Sequence, residues 1–229
     1  MAKVWSRFEG KRKDGTIVKL KIEDLPHDRH QEGFDFMKNY YVQEEAFHVA
    51  SGVPKSQEAL TEYRELLDTF YKNYPRRGIY CSLDDGTSEI IGLSFMQLCE
   101  KSGNQTEFFK NLQVKTKELQ KMYNILKVLH NFHSKDYERY YDGRGIIVHP
   151  EYRGLGIASE FVKVRKLICI DEEVPVTTAW MSSLGTQRAA EKNKWKTLAE
   201  IPPQELGRIS GLEFESSIPM FKLMYTTTN

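Results

Sequence analysis

The chain has 229 residues, 40% of them hydrophobic and 28% charged, with a formal net charge of +1. That length can close one large α/β core, and the near-neutral balance argues against any global pull toward nucleic acid or an anionic membrane. Three cysteines (Cys81, Cys99 and Cys169) lie far apart and without CxxC spacing, which argues against a disulfide framework and a structural zinc site.

The opening Met1-Ala2-Lys3-Val4-Trp5-Ser6-Arg7 lacks the apolar core of a signal peptide, and no run approaches the roughly 20 apolar residues of a membrane span. A reducing compartment, the cytosol, is therefore expected. With no internal repeat and no low-complexity segment, a single domain over residues 1–229 is the default. Thr16-Ile-Val-Lys-Leu-Lys-Ile22 alternates, Val18, Leu20 and Ile22 on one face and Lys19 and Lys21 on the other, as a half-buried strand does. Leu25-Pro26 ends it. Asp28, with Gln31 three residues on, reads as a helix N-cap.

The helix that follows carries Phe34, Met37 and Tyr41 on one stripe, which continues to Glu45 and then His48. Ser51-Gly-Val-Pro54 breaks it, and a second helical stretch runs to about Tyr74. Gly78–Leu83 and Glu89–Leu98 flank the turn Asp84-Asp85-Gly86 as a hairpin. A long helix with Met122, Leu126 and Leu129 in register reaches about His133. The last third alternates between the two element types. Strands are expected at Gly145–His149, Val174–Trp180, Trp195–Ile201 and Ile218–Thr226. Helices are expected on the spacing of Ile157, Phe161, Val164 and Ile168, and again from Thr186 to Lys192. The expected architecture is a mixed α/β (α+β) sheet of about seven strands with helices on both faces.

The stretch Ile147-Val-His-Pro-Glu-Tyr-Arg-Gly-Leu-Gly-Ile-Ala158 places a buried strand, a two-glycine turn and a helix start in succession. Backbone N–H groups converge there and, aided by the helix dipole, favour a phosphate or diphosphate, with Arg153 as an added cation. A dinucleotide fingerprint would need Gly or Ala where Ser159 stands, and a Walker loop would need Gly-Lys-Ser/Thr where Gly156-Ile157-Ala158 stands. Neither fits.

The core Arg153-Gly154-Leu155-Gly156-Ile157-Ala158 resembles the acetyl-CoA diphosphate loop of GNAT-type N-acetyltransferases, Arg/Gln-x-x-Gly-x-Gly/Ala. The element order over most of the chain is similar to the GNAT order. Tyr40-Tyr-Val-Gln-Glu-Glu45, Ser182–Glu191 and Ile201-Pro202 look most like the insect arylalkylamine N-acetyltransferases. The resemblance implies a mostly antiparallel twisted sheet, acetyl-CoA as co-substrate, no metal and a small-molecule amine as partner. It also implies binding of the coenzyme by Ile147, Val148, Arg153, Gly154, Leu155, Gly156, Ile157 and Ala158.

In that group the early motif Phe-Phe-x-x-Asp-Glu-Pro-Leu supplies the general base, and Glu45 is the matching residue. Ala46 and Phe47 replace the proline and leucine. The stripe independently turns Glu45 inward, while Glu44 sits about 100° away. An alkylamine has a pKa of roughly 10 and becomes a nucleophile only after losing a proton, which a carboxylate can accept. The group's paired serines, four residues apart, correspond to Ser182 and Thr186, hydroxyls near the departing thiolate. The bland alternative for Ser182, Ser183 or Thr186 is a helix cap. The resemblance also implies an oxyanion donor from the backbone at Ile146–Val148. Asn193-Lys194-Trp195 departs from the group's Leu-Gly-Phe.

His149 is expected to pack at the strand end rather than act as a base, His48 to lie at the surface, with lining of the amine pocket as its alternative, and His130 and His133 to bind no metal. Lys11-Arg12-Lys13 reads as a solvated loop. Tyr40, Tyr41, Phe36 and Met220 are read as an aromatic wall or as core. The expected acceptors are arylalkylamines such as dopamine, serotonin, tyramine or octopamine. The alternatives are an aliphatic amine such as agmatine or a polyamine, a protein or peptide N-acetyltransferase, and a non-catalytic acyl-CoA-binding module.

Overall fold

Among the described residues eight strands, numbered in chain order, form one sheet in which the last two exchange places. The computed structural model describes residues 2–73, 76–100, 112–132 and 137–228. β1 (Val4–Lys11) and β2 (Ile17–Asp24) make an antiparallel hairpin, with Leu20 and Ile22 fully buried as their alternation requires. β3 (Arg76–Leu83), β4 (Gly92–Glu100) and β5 (Arg139–Val148) follow, each antiparallel to the one before. β6 (Val176–Met181) runs parallel to β5. β8 (Phe221–Thr227) then pairs antiparallel with both β6 and β7 (Lys196–Ile201).

β1 is the strand that pattern reading misses. Its inward positions carry Ser6 and Gly10 beside Phe8, and a register shift between Val4 and Ser6 brings Trp5 onto the same core, so no clean apolar alternation marks it. β5 is longer than expected because Tyr140-Tyr-Asp-Gly-Arg144, polar in sequence, still pairs with the end of β4.

α5 (Ile157–Asp171) covers one face of the sheet. Ile157, Phe161, Val164 and Ile168 pack there with Leu20, Ile22, Ile79 and Cys81, as their spacing predicts. The other face is covered by α1 (His30–Phe36), α2 (Ala46–Ser51), α3 (Gln57–Asn73) and α4 (Lys117–His130). Phe34, Phe36 and Met37 pack there on Tyr80, Leu93 and Phe95. α6 (Leu184–Lys192) and α7 (Pro203–Ser210) complete the second half. The expected helix ends at Tyr74 and His133 lie outside the described residues. Asp28 makes no cap: it sits in a 3₁₀ turn, His27–Arg29, that precedes α1 without a side-chain cap bond.

His30 is buried against Tyr71, their ring centroids 3.8 Å apart. Burial first, then the nearby His27 and Arg76, pushes its pKa down to about 4 from 6.5. The folded state thus holds His30 neutral, so its stabilising share is complete above pH 6.5 and is lost as pH falls toward 4. Urea unfolding is expected to show a loss of about 2 kcal/mol from this group across that window. His30→Phe should flatten the pH dependence there, and an unchanged slope would remove His30 as its source.

Candidate active site

The helix that begins at His30 does not run on evenly to Glu45. It widens into a π-helical turn at Met37–Tyr41 and stops at Glu45, whose ψ of 131° is extended. Glu45 becomes the N-cap of α2. Its Oε2 accepts from the backbone N–H groups of Phe47 (2.9 Å) and His48 (3.1 Å) and lies 2.7 Å from His48 Nδ1. A carboxylate only accepts, so Nδ1 carries the proton in this pair.

His48 is buried on the cavity wall, its alternative place and not the surface, because pairing with Glu45 and packing between the rings of Tyr41 and Tyr63 outweigh its polarity. The inward side of the stripe survives the change of geometry. Glu45 Oε1 and His48 Nε2 are buried without hydrogen-bond partners. Buried polar atoms left in that condition call for a ligand or water.

Both residues line a cavity of about 1310 Å³, together with Tyr41, Tyr63, Phe95 and Trp180. The size and the aromatic wall suit a small molecule and part of a larger one. Burial pushes the Tyr63 hydroxyl up to about 12, with the charge of Glu45 acting in the same direction, so it stays protonated at neutral pH. Of the four residues proposed for that wall, Tyr41 lines the cavity. Phe36 is core, and Tyr40 packs edge-on against His149. Met220 is exposed.

Ser182 and Thr186 line the same cavity. Ser183 provides the cap of α6, its hydroxyl accepting from Thr186 N at 3.3 Å. Ser182 makes no side-chain hydrogen bond among the described residues and faces the cavity uncommitted. Thr186 is less free, its Oγ1 bonded to the Ser183 carbonyl oxygen at 3.0 Å.

Pairing between the parallel strands β5 and β6 is confined to Tyr141–Thr177 and Asp142–Thr178. Beyond that point they part, and Gly143–Ile147 of β5 borders the cavity. Gly143 is required there: a Cβ would stand 2.4 Å from Arg165 Nη1 and 2.6 Å from Ala179 Cβ. Arg165 passes through that gap, bonding Ser94 Oγ, Phe95 O and Gly145 O.

Past the cavity the chain turns through Gly154 and Gly156, both at φ +85°, into α5. No side chain caps α5. Its first-turn N–H groups and dipole therefore stay available to an anion.

The predicted coenzyme residues divide by role. Ile147 borders the cavity. Leu155 and Ile157 bury their side chains in the core, which leaves their main chain for binding and makes the side chains anchors of the loop. Arg153 pairs with Glu44 at 2.7 Å and donates to Val148 O at 3.2 Å, so its charge is already engaged. His149 lies at the end of β5 as expected, its Nδ1 accepting from Glu151 N. Among the described residues no group of His, Cys, Asp and Glu could hold a metal ion.

Sequence reading missed Arg76, Gln97, Asp142 and Arg144, all on the cavity wall. Gln97 had a signal, an amide inside the apolar run Leu93–Cys99. Arg76 had none, since a charge at a strand start is ordinary.

No family model matches the chain, and no curated protein matches it in sequence. Solved structures do. The arylalkylamine N-acetyltransferase 7 candidate of the yellow fever mosquito aligns over 100% of this chain and 96% of its own, at 24% identity and a TM-score of 0.87. The chain has the GNAT fold. The mosquito arylalkylamine N-acetyltransferase-like protein 5b aligns over 91% of this chain and 99% of its own, with 15% identity and a TM-score of 0.72. A spermidine N-acetyltransferase from Vibrio cholerae, in complex with CoA and spermine, aligns over 91% and 95%, with 12% identity and a TM-score of 0.53. Among the described residues eight strands stand where about seven were expected, and Ala158 in the first turn of α5 packs on the cluster that holds the cavity-lining Ala179 and Met181.

Proposed function

We propose that the protein is an acetyl-CoA-dependent N-acetyltransferase acting on the primary amine of a small arylalkylamine. The observation that carries this reading is a buried carboxylate oxygen without a partner, Glu45 Oε1, in an aromatic-walled cavity beside an uncapped, glycine-turned helix N-terminus. The CoA-bound spermidine enzyme of the same fold supports the choice of coenzyme.

In this reading the main-chain N–H groups of Gly154–Ala158 hold the diphosphate, and the free edge of β5 at Ile147 and Val148 holds the pantetheine arm. Glu45 Oε1 attracts the ammonium and accepts its proton, and the freed amine attacks the thioester carbon. The amine's new N–C bond replaces the C–S bond. The adduct nitrogen then sheds its second proton, and Ser182 stabilises the departing thiolate by relaying that proton to it, directly or through water, with Thr186 behind it. His48 keeps Oε2 occupied, which leaves Oε1 for the substrate. The described residues act as one catalytic domain, and three buried free thiols accord with a cytosolic setting.

A polyamine or agmatine is the less favoured acceptor. Arg76, which has no carboxylate partner among the described residues, borders the cavity and would repel a second cation. CoA release from acetyl-CoA should therefore be faster with tyramine, dopamine, serotonin or octopamine than with spermidine or agmatine. A protein that fails to bind acetyl-CoA in a calorimetric titration sinks the transferase reading. Preference for the polyamines sinks the arylalkylamine reading alone.

A further inference from the structure

The floor of the cavity carries a charge that the mechanism above leaves unused. Arg76 opens β3, and the sheet register sets it beside Gln97 on β4, which stands beside Asp142 on β5. All three line the cavity. Apart from Glu45 and the exposed Lys127, whose ammonium lies over the Tyr123 ring at 4.8 Å, the other charged groups there are engaged. Asp142 is 3.1 Å from Arg144, Glu44 is 2.7 Å from Arg153, and Glu100 is 3.5 Å from Arg139. Arg165 is satisfied by one hydroxyl and two carbonyl oxygens.

Arg76 has no carboxylate partner among the described residues. Its Nε is buried without a hydrogen-bond partner, and its guanidinium lies over the Phe70 ring at 5.3 Å. Gln97 is 0% exposed, and neither its side-chain oxygen nor its nitrogen has a partner.

A half-buried cation with no carboxylate partner and a buried amide with no hydrogen-bond partner each work against folding. Burial, then Arg144, pulls the Arg76 pKa down to about 10, so the guanidinium still carries its charge at neutral pH. Neutralisation is not its way out. An anion is.

We propose that the acceptor amine also carries a carboxylate, which Arg76 and Gln97 hold while the amino group lies at Glu45. A carboxylate accepts from the Arg76 guanidinium and from Gln97 Nε2–H together. Its single charge matches that of the Arg76 guanidinium, where a phosphate dianion would stay half compensated. The anion belongs to the acceptor and not to the acyl group, because the acyl group is placed where β5 parts from β6, and β4 stands between β3 and β5. Tyr63 marks the span between the two ends: it packs on His48, and its hydroxyl feels both Arg76 and Glu45. This inference rests on the transferase reading and adds a preference to it: among amines that reach Glu45, one that also carries a carboxylate is held more tightly.

The test uses the full chain, acetyl-CoA and matched pairs of amines: tyrosine with tyramine, 4-aminobutanoate with butylamine, and 6-aminohexanoate with hexylamine. In at least one pair the acid is expected to exceed its carboxylate-free twin in kcat/KM by about tenfold or more. Arg76→Gln should lower that acid's kcat/KM by about 10- to 100-fold, chiefly through KM. The same variant should leave the twin and acetyl-CoA affinity unchanged, which a misfolded variant would not do. Arg76→Lys, which keeps the charge, should restore part of the preference.

Acids poorer than their twins in every pair, or an Arg76→Gln loss shared equally by acid and twin, overturn the inference while the transferase stands. So does a protein that binds acetyl-CoA yet acetylates neither member of any pair. Failure to bind acetyl-CoA removes the transferase reading and this one with it.

Discussion

Glu45→Gln is expected to lower kcat/KM for amine acetylation at pH 7 by about 10²–10⁴-fold, the usual contribution of a positioned acid–base group. Gln keeps an oxygen that can accept from Phe47 N and His48 N, so the start of α2 is preserved while the proton acceptor is lost. Glu45→Ala is the poorer probe, because it also removes the cap, at a cost of about 1 kcal/mol, and strands His48 in the core. The deficit of the Gln variant should shrink as pH rises toward the amine pKa of roughly 10, where free amine no longer needs a base. Initial rates from pH 7 to 9.5 measure this. A pH profile parallel to that of the unaltered protein would take the proton away from Glu45. Acetyl-CoA affinity should be unchanged throughout.

Gly156→Val is expected to do the converse, weakening acetyl-CoA binding by about 10- to 100-fold. Nothing lies within 4 Å of a Cβ at this position, so the side chain meets no wall. The obstacle is the backbone: at φ +85° a β-branched residue is strongly disfavoured. The turn must rearrange, and the N–H groups at the head of α5 no longer converge. Calorimetric titration reads the affinity directly, and thermal unfolding of the same sample shows that the core is intact. Loss of affinity without loss of folding fits the diphosphate role. Unaltered affinity would move the coenzyme elsewhere and would also release Ile147, Val148 and Ala158 from the proposed site.

The sequence by itself determined the parts of this protein governed by local periodicity. Leu20 and Ile22 mark a strand face, Ile157, Phe161, Val164 and Ile168 mark the buried stripe of α5, and Gly154 and Gly156 mark a turn that only glycine makes readily. These signals repeat every two or 3.6 residues or need a positive φ, and a reader of one chain can see them. The inward direction of Glu45 was legible too, although the continuous helix invoked for it does not exist; the residue turns inward as the cap of α2.

Tertiary structure decided the rest, because pairing partners far apart in the chain set the outcome. β1, with Ser6 and Gly10 on its inner side, is a strand because β2 lies beside it. His48 is buried because Glu45 and the Tyr41 and Tyr63 rings enclose it. Arg76, Gln97 and Asp142 stand on three strands spread over more than a quarter of the chain, and only the register of the sheet sets them side by side. Charge compensation depends on distance in space, so no reading of spacing could have shown that one of three cavity arginines lacks both a carboxylate and a full set of neutral acceptors.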